Sequence, residues 1–138
     1  MSWVLILALA DLGLLMGVAS VFGLTRGIEA GLWLVIGIAC AVVIGRKAPA
    51  RHFLHGFLVG LIGGALSPLV QAALFPTYAA NNPEAMEQMA AIPGGVSPRL
   101  FLLLLTPVIG LLSGLLLGAL SWIAARVLGR GSSQVTPA

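Results

Sequence analysis

The chain has 138 residues, of which 59% are hydrophobic and 8% are charged, and its formal net charge is +3. Soluble domains carry about 25% charged residues, so this composition, with a mean hydropathy of +1.10, excludes a globule exposed to water. The seven Lys and Arg residues cluster at the ends of apolar segments, which excludes a nucleic-acid-binding surface and indicates membrane topology.

Four apolar segments are long enough, at about 1.5 Å per residue, to cross a hydrocarbon core of about 30 Å. They predict transmembrane helices at residues 3–24, 28–45, 53–75 and 100–125. The sequence therefore predicts an all-α, polytopic membrane protein, a single-domain bundle of four transmembrane helices. A short polar tail, 131–138, is expected to be disordered.

Asp11 is the only ionisable residue deep in a predicted helix. The twelve Leu, Ile, Val and Phe residues of that helix, at about −0.3 to −0.6 kcal/mol each, outweigh a carboxylate cost of about 3 kcal/mol. An intramembrane carboxylate is a functional candidate, here for proton or ion transport. The alternative is that water or the backbone satisfies it, since it lies within about 12 Å of the inner face.

Basic residues predict the orientation of the bundle. Positive charge favours the cytoplasmic side, and one side carries five basic residues against two, Arg26 and Arg99, on the other. Both termini are therefore expected in the cytoplasm. The five are also candidate contacts for lipid head groups: Arg46, Lys47, Arg51, Arg126 and Arg130.

A metal or haem site is conceivable at His52 and His55, at the inner end of the third helix, with Cys40 on the second. Imidazole and thiolate are common metal ligands. The neighbouring basic residues would repel a cation, however, and no carboxylate is close in the sequence. We therefore predict no metal and no cofactor, and we favour contact with lipid head groups.

Two prolines at matching depth predict a polar cavity in the outer half of the bundle. Each proline removes a backbone hydrogen bond and kinks its helix, which frees carbonyl groups. The candidate cavity residues are Ser67, Pro68 and Gln71 on the third helix and Thr106 and Pro107 on the fourth. The alternative is a pair of kinked helices that satisfy their carbonyls internally.

The external segment, residues 76–99, carries signals for a short helix. Asn82 can cap it, Pro83 suits its first turn, and Pro93 with the glycines after it would end it. We predict a helix over residues 83–91 on the membrane surface, with a solvated loop as the alternative. At the outer end of the second helix, Arg26 and Glu29 are expected to form a solvated pair.

Small residues recur every four positions on all four predicted helices. Such stripes let two helices approach closely in lipid, so we expect them to face one another and to make the inner half the tightest part. We favour packing within the chain, with a homo-oligomer interface as the alternative. The stripes are Gly13 and Gly17; Gly37, Ala41 and Gly45; Gly56, Gly60 and Gly64; and Gly110, Gly114 and Gly118.

About two-thirds of the chain resembles a family of small bacterial membrane proteins, domain of unknown function 4199. The resemblance rests on three runs and a glycine-rich last helix that ends at Arg126. It implies four helices in a bacterial inner membrane and implies no activity, because the family has none assigned. The first helix of this chain does not match the family. The runs are Arg51-His52-Phe53 leading into Gly56-Phe57-Leu58-Val59-Gly60, Phe75-Pro76-Thr77-Tyr78, and Asn82-Pro83-Glu84.

The sequence contains no P-loop, zinc-ligand run, nucleophile elbow or paired catalytic carboxylates. We therefore expect a non-enzymatic structural or accessory subunit, with membrane lipids and a membrane protein or a second copy as partners. A small carrier coupled to protons or ions through Asp11 is the alternative. A membrane enzyme is the third interpretation.

Overall fold

The computed structural model describes the backbone of residues 1–132 and the side chains of residues 1–129. Within these residues the chain forms six helices and no strand. They are α1 (Trp3–Val21), α2 (Glu29–Lys47), α3 (His52–Ala73), α4 (Phe75–Asn81), α5 (Pro83–Ala90) and α6 (Pro98–Ser132). Four of them, α1, α2, α3 and α6, are long and apolar enough to cross a membrane. The predicted all-α class is confirmed, and four helices have the length and apolar character that the prediction requires of membrane-spanning segments.

Two helices end earlier than predicted, at points where a glycine or a proline follows in the sequence. The first helix ends at Val21 rather than at residue 24, and Gly23 follows with a φ of 70° that a right-handed helix does not adopt. The third helix ends at Ala73 rather than at residue 75, because Leu74 leaves the helical conformation and Pro76 enters the first turn of α4. The prediction missed α4.

The last helix is longer than the predicted 100–125 at both ends. Pro98 suits its first turn, and α6 is 35 residues long, from Pro98 through Ser132. Gly131 and Ser132 are therefore helical, and the rest of the predicted tail, 133–138, lies outside the described residues.

The predicted helix over 83–91 is present as α5, which ends one residue earlier. Met86 and Met89, which share a face of this helix, pack against a cluster at the end of the bundle. These methionines therefore contact protein and hold α5 onto the other helices. The cluster contains Val21, Ala72, Tyr78 and Leu102.

The spanning helices are arranged around α3 and α6, which share the most extensive contact. α1 packs on α3 and α2 packs on α6, while α1 and α2 touch only slightly. We call the end of the bundle with the α2–α3 connection the Lys47 side. We call the end with α4 and α5 the Tyr78 side.

Glycines line the contact between α3 and α6, which we call the seam. A Cβ atom added to Gly114 would lie 2.8 Å from the carbonyl oxygen of Phe57, a separation that real side chains do not adopt. The two backbones are therefore too close for any larger residue. The same crowding occurs at four other stripe glycines of this contact: Gly56, Gly60, Gly64 and Gly110. At Gly118 the contact is slightly looser, with 3.0 Å from an added Cβ atom to the carbonyl oxygen of Phe53.

The α1–α3 contact uses a second small-residue face of α3. A Cβ atom on Gly17 would lie 2.9 Å from the Cα atom of Ser67, and one on Gly13 would overlap the carbonyl of Gly63. Gly63 was not part of the predicted stripes. Because α3 carries small residues on two faces, it can pack closely on both α1 and α6.

The stripe on α2 divides into a packed and an open part. A Cβ atom on Gly45 would lie 3.1 Å from the backbone nitrogen of Ala125, and Ala41 is buried. A Cβ atom on Gly37 would meet no atom within 4 Å. The expectation that every stripe faces another is therefore wrong at Gly37.

Candidate functional site

α2 packs closely on the bundle only in its second half. Its three buried residues are Cys40, Ala41 and Ile44, and no residue of α2 from Glu29 to 39 is buried. Since α1 and α2 also touch little, a groove opens between these two helices, with α3 and α6 as its floor.

The deep section of the groove has a volume of about 290 Å³. Its walls are mainly aliphatic side chains and glycines. Such a surface favours an apolar occupant, because a polar group buried there would lose its hydrogen bonds to water. The lining includes Leu9, Leu12, Gly37, Cys40, Val59 and Leu120.

The outer section, which we call the mouth, has a volume of about 360 Å³ and lies at the Tyr78 side. Trp33 and Ser113 line both sections, so the two adjoin. The groove thus runs from an apolar interior to a partly polar mouth. Polar residues of the mouth include Glu29, Ser67, Gln71 and Tyr78.

Glu29 and Tyr78 dominate the electrostatics of the mouth. Glu29 begins α2, and its Oε2 atom accepts a hydrogen bond of 3.3 Å from the hydroxyl of Thr25. Burial of Tyr78, together with the negative charge of Glu29, raises the pKa of the tyrosine hydroxyl above its ordinary value of 10.0. The mouth therefore presents a carboxylate beside a neutral phenol, which suits a cation or a hydrogen-bond donor.

Buried amides fix the wall of the mouth to the end of α1. Gln71 donates a hydrogen bond of 3.0 Å from Nε2 to the hydroxyl of Ser20. Asn82 donates from Nδ2 to the carbonyls of Ser20 and Tyr78, both at 2.9 Å. These bonds tie α3 and α4 to α1 and hold Tyr78 in place.

Arg26 does not pair with Glu29 in the described structure. Its guanidinium donates instead to the carbonyl oxygen of Asn81 at 3.1 Å. The expected solvated pair is therefore wrong, because the turn after α1 directs Arg26 toward α4. Glu29 is left to line the mouth.

Three of the five residues predicted for an outer polar cavity line the mouth: Ser67, Pro68 and Gln71. Thr106 and Pro107 do not. The Thr106 hydroxyl donates to the carbonyl of Leu102 within its own helix, at 3.1 Å, and Pro107 is exposed on the outer surface of α6. The Thr106 hydroxyl is therefore used within its own helix and does not face the mouth.

Sequence reasoning missed Glu29, Trp33 and Tyr78 as residues of one site. Glu29 and Trp33 are four positions apart and so share a face of α2, which was a usable signal. Tyr78 lies on α4, a helix that the prediction lacked, so no spacing argument could bring it to the mouth.

Asp11 lies away from the groove. Leu9, Leu12 and Gly13 face the groove, and at about 3.6 residues per turn Asp11 is on the opposite side of α1. Its side chain is exposed and has no hydrogen bond or ion pair with any residue that the structure describes. The geometry therefore does not support a role for Asp11 in proton or ion transport through the groove.

His55 has a structural role. It is 1% exposed, and its Nε2 atom accepts a hydrogen bond of 3.1 Å from the backbone N–H of Ser2. The proton therefore sits on Nδ1, which donates to the carbonyl of Arg51 at 3.1 Å. Both ring nitrogens are used, and the described residues include no group of three or more His, Cys, Asp and Glu that could hold a metal.

The basic residues predicted to meet lipid head groups are exposed at the Lys47 side wherever their side chains are described. Arg126 lies over the ring of Trp122, with 3.7 Å between the guanidinium carbon and the ring centroid. The side chain of Arg130 lies outside the described residues. The remaining exposed members are Arg46, Lys47 and Arg51.

Comparison with known proteins gives no relative for this chain. No family model matches it, no curated protein matches it, and no solved structure matches it. The resemblance to domain of unknown function 4199 stays a prediction.

Proposed function

We propose that this chain is a non-enzymatic accessory subunit of the bacterial inner membrane that docks on a partner membrane protein through α1. The observation that carries the proposal is the outward position of Asp11 in the middle of a spanning helix. A carboxylate there costs about 3 kcal/mol in lipid, and intramembrane ionisable residues almost always face protein or water. A partner helix that donates a hydrogen bond to Asp11 removes that cost.

The docking face is an apolar stripe with one polar centre. Leu7 and Leu15, which lie one turn before and after Asp11, are 53% and 62% exposed. Helices in lipid gain little from apolar contact alone, so a polar residue supplies much of the specificity. A stripe of this kind supports docking on one partner helix.

The distribution of charge supports the orientation in this proposal. The basic residues of the α2–α3 connection and of the end of α6 lie at the Lys47 side, which is the cytoplasmic side by the positive-inside rule. Both termini are then cytoplasmic. The family resemblance supports the bacterial inner membrane.

Extraction in mild detergent followed by mass measurement of the intact complex tests the proposal. The native chain is expected to carry a stoichiometric membrane protein partner. Asp11→Leu is expected to lower recovery of that partner about tenfold, which corresponds to a loss of about 1.4 kcal/mol. Glu84→Leu removes an exposed carboxylate outside the spanning helices and is the matched control, expected to keep the partner.

The same measurement separates the competing interpretations. A partner retained equally by Asp11→Leu and by the native chain would contradict docking through Asp11. A complex that contains only copies of this chain would replace the accessory subunit by a homo-oligomer. Thermal unfolding of the purified variants excludes misfolding, because removal of an exposed carboxylate should leave the fold intact.

A small carrier is the second candidate, and the groove with its partly polar mouth favours it. Its acidic group would be Glu29, which lines the mouth, rather than Asp11. In liposomes a carrier predicts solute flux that Glu29→Gln abolishes and Asp11→Asn leaves unchanged. A membrane enzyme stays the third candidate, because Asp11 faces outward, Glu29 lines the mouth and His55 is buried at the Lys47 side. These groups do not share one site.

A further inference from the structure

The groove extends through about one leaflet of a bilayer. Along α2 its lining runs from Glu29 to Cys40, which at about 1.5 Å per residue is about 16 Å. A hydrocarbon core of about 30 Å gives each leaflet about half that thickness. The groove therefore has the length of an acyl chain that begins at the Tyr78 side.

The groove is also accessible from the side. Leu34 lines the deep section and is 63% exposed, and the slight contact between α1 and α2 leaves the space between them open. In a membrane the nearest molecules to this opening are lipids. A lipid chain can therefore enter laterally without passing through water.

The charge at the mouth selects the head group. Glu29 is the only charged residue among those that line either section of the groove, within the described part of the chain. Trp33 and Tyr78 stand beside it in the mouth, and aromatic rings attract cations. A positively charged group complements this mouth, whereas a head group that carries only negative charge would be repelled.

We propose that the groove binds one acyl chain of an aminophospholipid from the leaflet on the Tyr78 side, with the lipid ammonium at Glu29. Gly37 leaves room for the chain in the deep section, and Glu29 pairs with the head group. This proposal rests on the groove alone and is independent of docking through Asp11.

Native mass measurement of the purified chain in detergent tests the acyl-chain site. The probe is a phosphoethanolamine lipid titrated into delipidated protein. Gly37→Leu fills the groove from a position where an added Cβ meets no atom within 4 Å, and is expected to weaken binding about tenfold. Gly31→Leu is the matched control, because Gly31 is equally unobstructed on the same helix but outside the groove lining.

Competition between lipids tests the head-group site. With equal chains, the native protein is expected to prefer a phosphoethanolamine over a phosphoglycerol lipid about tenfold, and Glu29→Gln to remove that preference. Equal losses of lipid binding in Gly37→Leu and Gly31→Leu would mean that the protein binds only annular lipid, and they would overturn the proposal. Binding of a short, chainless amine with the same affinity would also overturn it, as would a head-group preference that survives Glu29→Gln.

Discussion

The α3–α6 seam and the groove beside α2 use the same residue types to opposite effect. In the seam, Gly114 lies so close to Phe57 of the facing helix that no side chain fits. In the groove, Gly37 faces open space although it belongs to a stripe with the same spacing. A small residue permits two helices to approach, but the arrangement of the whole bundle decides whether a second helix is there.

The largest expected difference in stability is between Gly→Leu in the seam and Gly→Leu in the groove. Gly114→Leu forces a side chain into a filled contact and should lower the free energy of unfolding by more than about 3 kcal/mol. Gly37→Leu places the same side chain in open space and should change it by less than about 0.5 kcal/mol. Unfolding in detergent, followed by circular dichroism, measures both. Similar losses of unfolding free energy in Gly114→Leu and Gly37→Leu would contradict the contrast between the seam and the groove.

A smaller effect is expected where α1 is fixed to α3 at the Lys47 side. His55→Leu leaves the Ser2 N–H without its partner and should cost about 1–3 kcal/mol of unfolding free energy. The Arg51 carbonyl loses the bond from Nδ1 but keeps the one from the backbone N–H of residue 55. His52→Leu is the control, since His52 has no such bond in the described structure. The same unfolding assay applies. If the two histidine variants lose equal stability, the bond to Ser2 does not hold α1.

At the mouth, Gln71→Leu should cost about 1 kcal/mol, because it removes the hydrogen bond to the Ser20 hydroxyl. Gln88→Leu removes an exposed amide from α5 and should be neutral. Unfolding curves of the two variants decide whether this bond stabilises the open side of the bundle. A neutral Gln71→Leu would show that water replaces it.

The smallest effect is electrostatic and concerns Tyr78, the only tyrosine of the chain. Its raised pKa means that the folded state holds the phenol proton more tightly than the unfolded state. The stabilisation is therefore complete below the ordinary pKa of 10.0 and is lost as the pH rises through the folded-state pKa. Absorbance of tyrosinate follows this titration directly.

Glu29→Gln should lower the pKa of Tyr78 only in part, because burial is the larger cause of the shift. Glu87→Gln removes a carboxylate from the exposed side of α5 and should leave the titration unchanged. An unchanged pKa in Glu29→Gln would mean that the carboxylate does not face the phenol across the mouth.

Prediction from the sequence succeeded for local properties. Apolar length identified all four membrane-spanning helices, and Pro83 with its neighbours located α5. It also placed Ser67, Pro68 and Gln71 at a cavity that they line, because Ser67 and Gln71 are polar and lie one turn apart on α3. It failed for Thr106, whose hydroxyl bonds within its helix, since periodicity does not tell which face of an apolar helix meets a neighbour.

By itself the sequence determined that this protein has four helices long and apolar enough to cross a membrane and that its glycines can form close contacts. Both follow from residues that act within one helix, through the transfer of apolar side chains into lipid and the absence of a Cβ atom. Only the tertiary structure decided that Asp11 faces outward, that α2 packs on α6 in its second half, and that Glu29 and Tyr78 line the same mouth. These are relations between helices whose apolar surfaces are nearly equivalent, so small differences in packing select one arrangement.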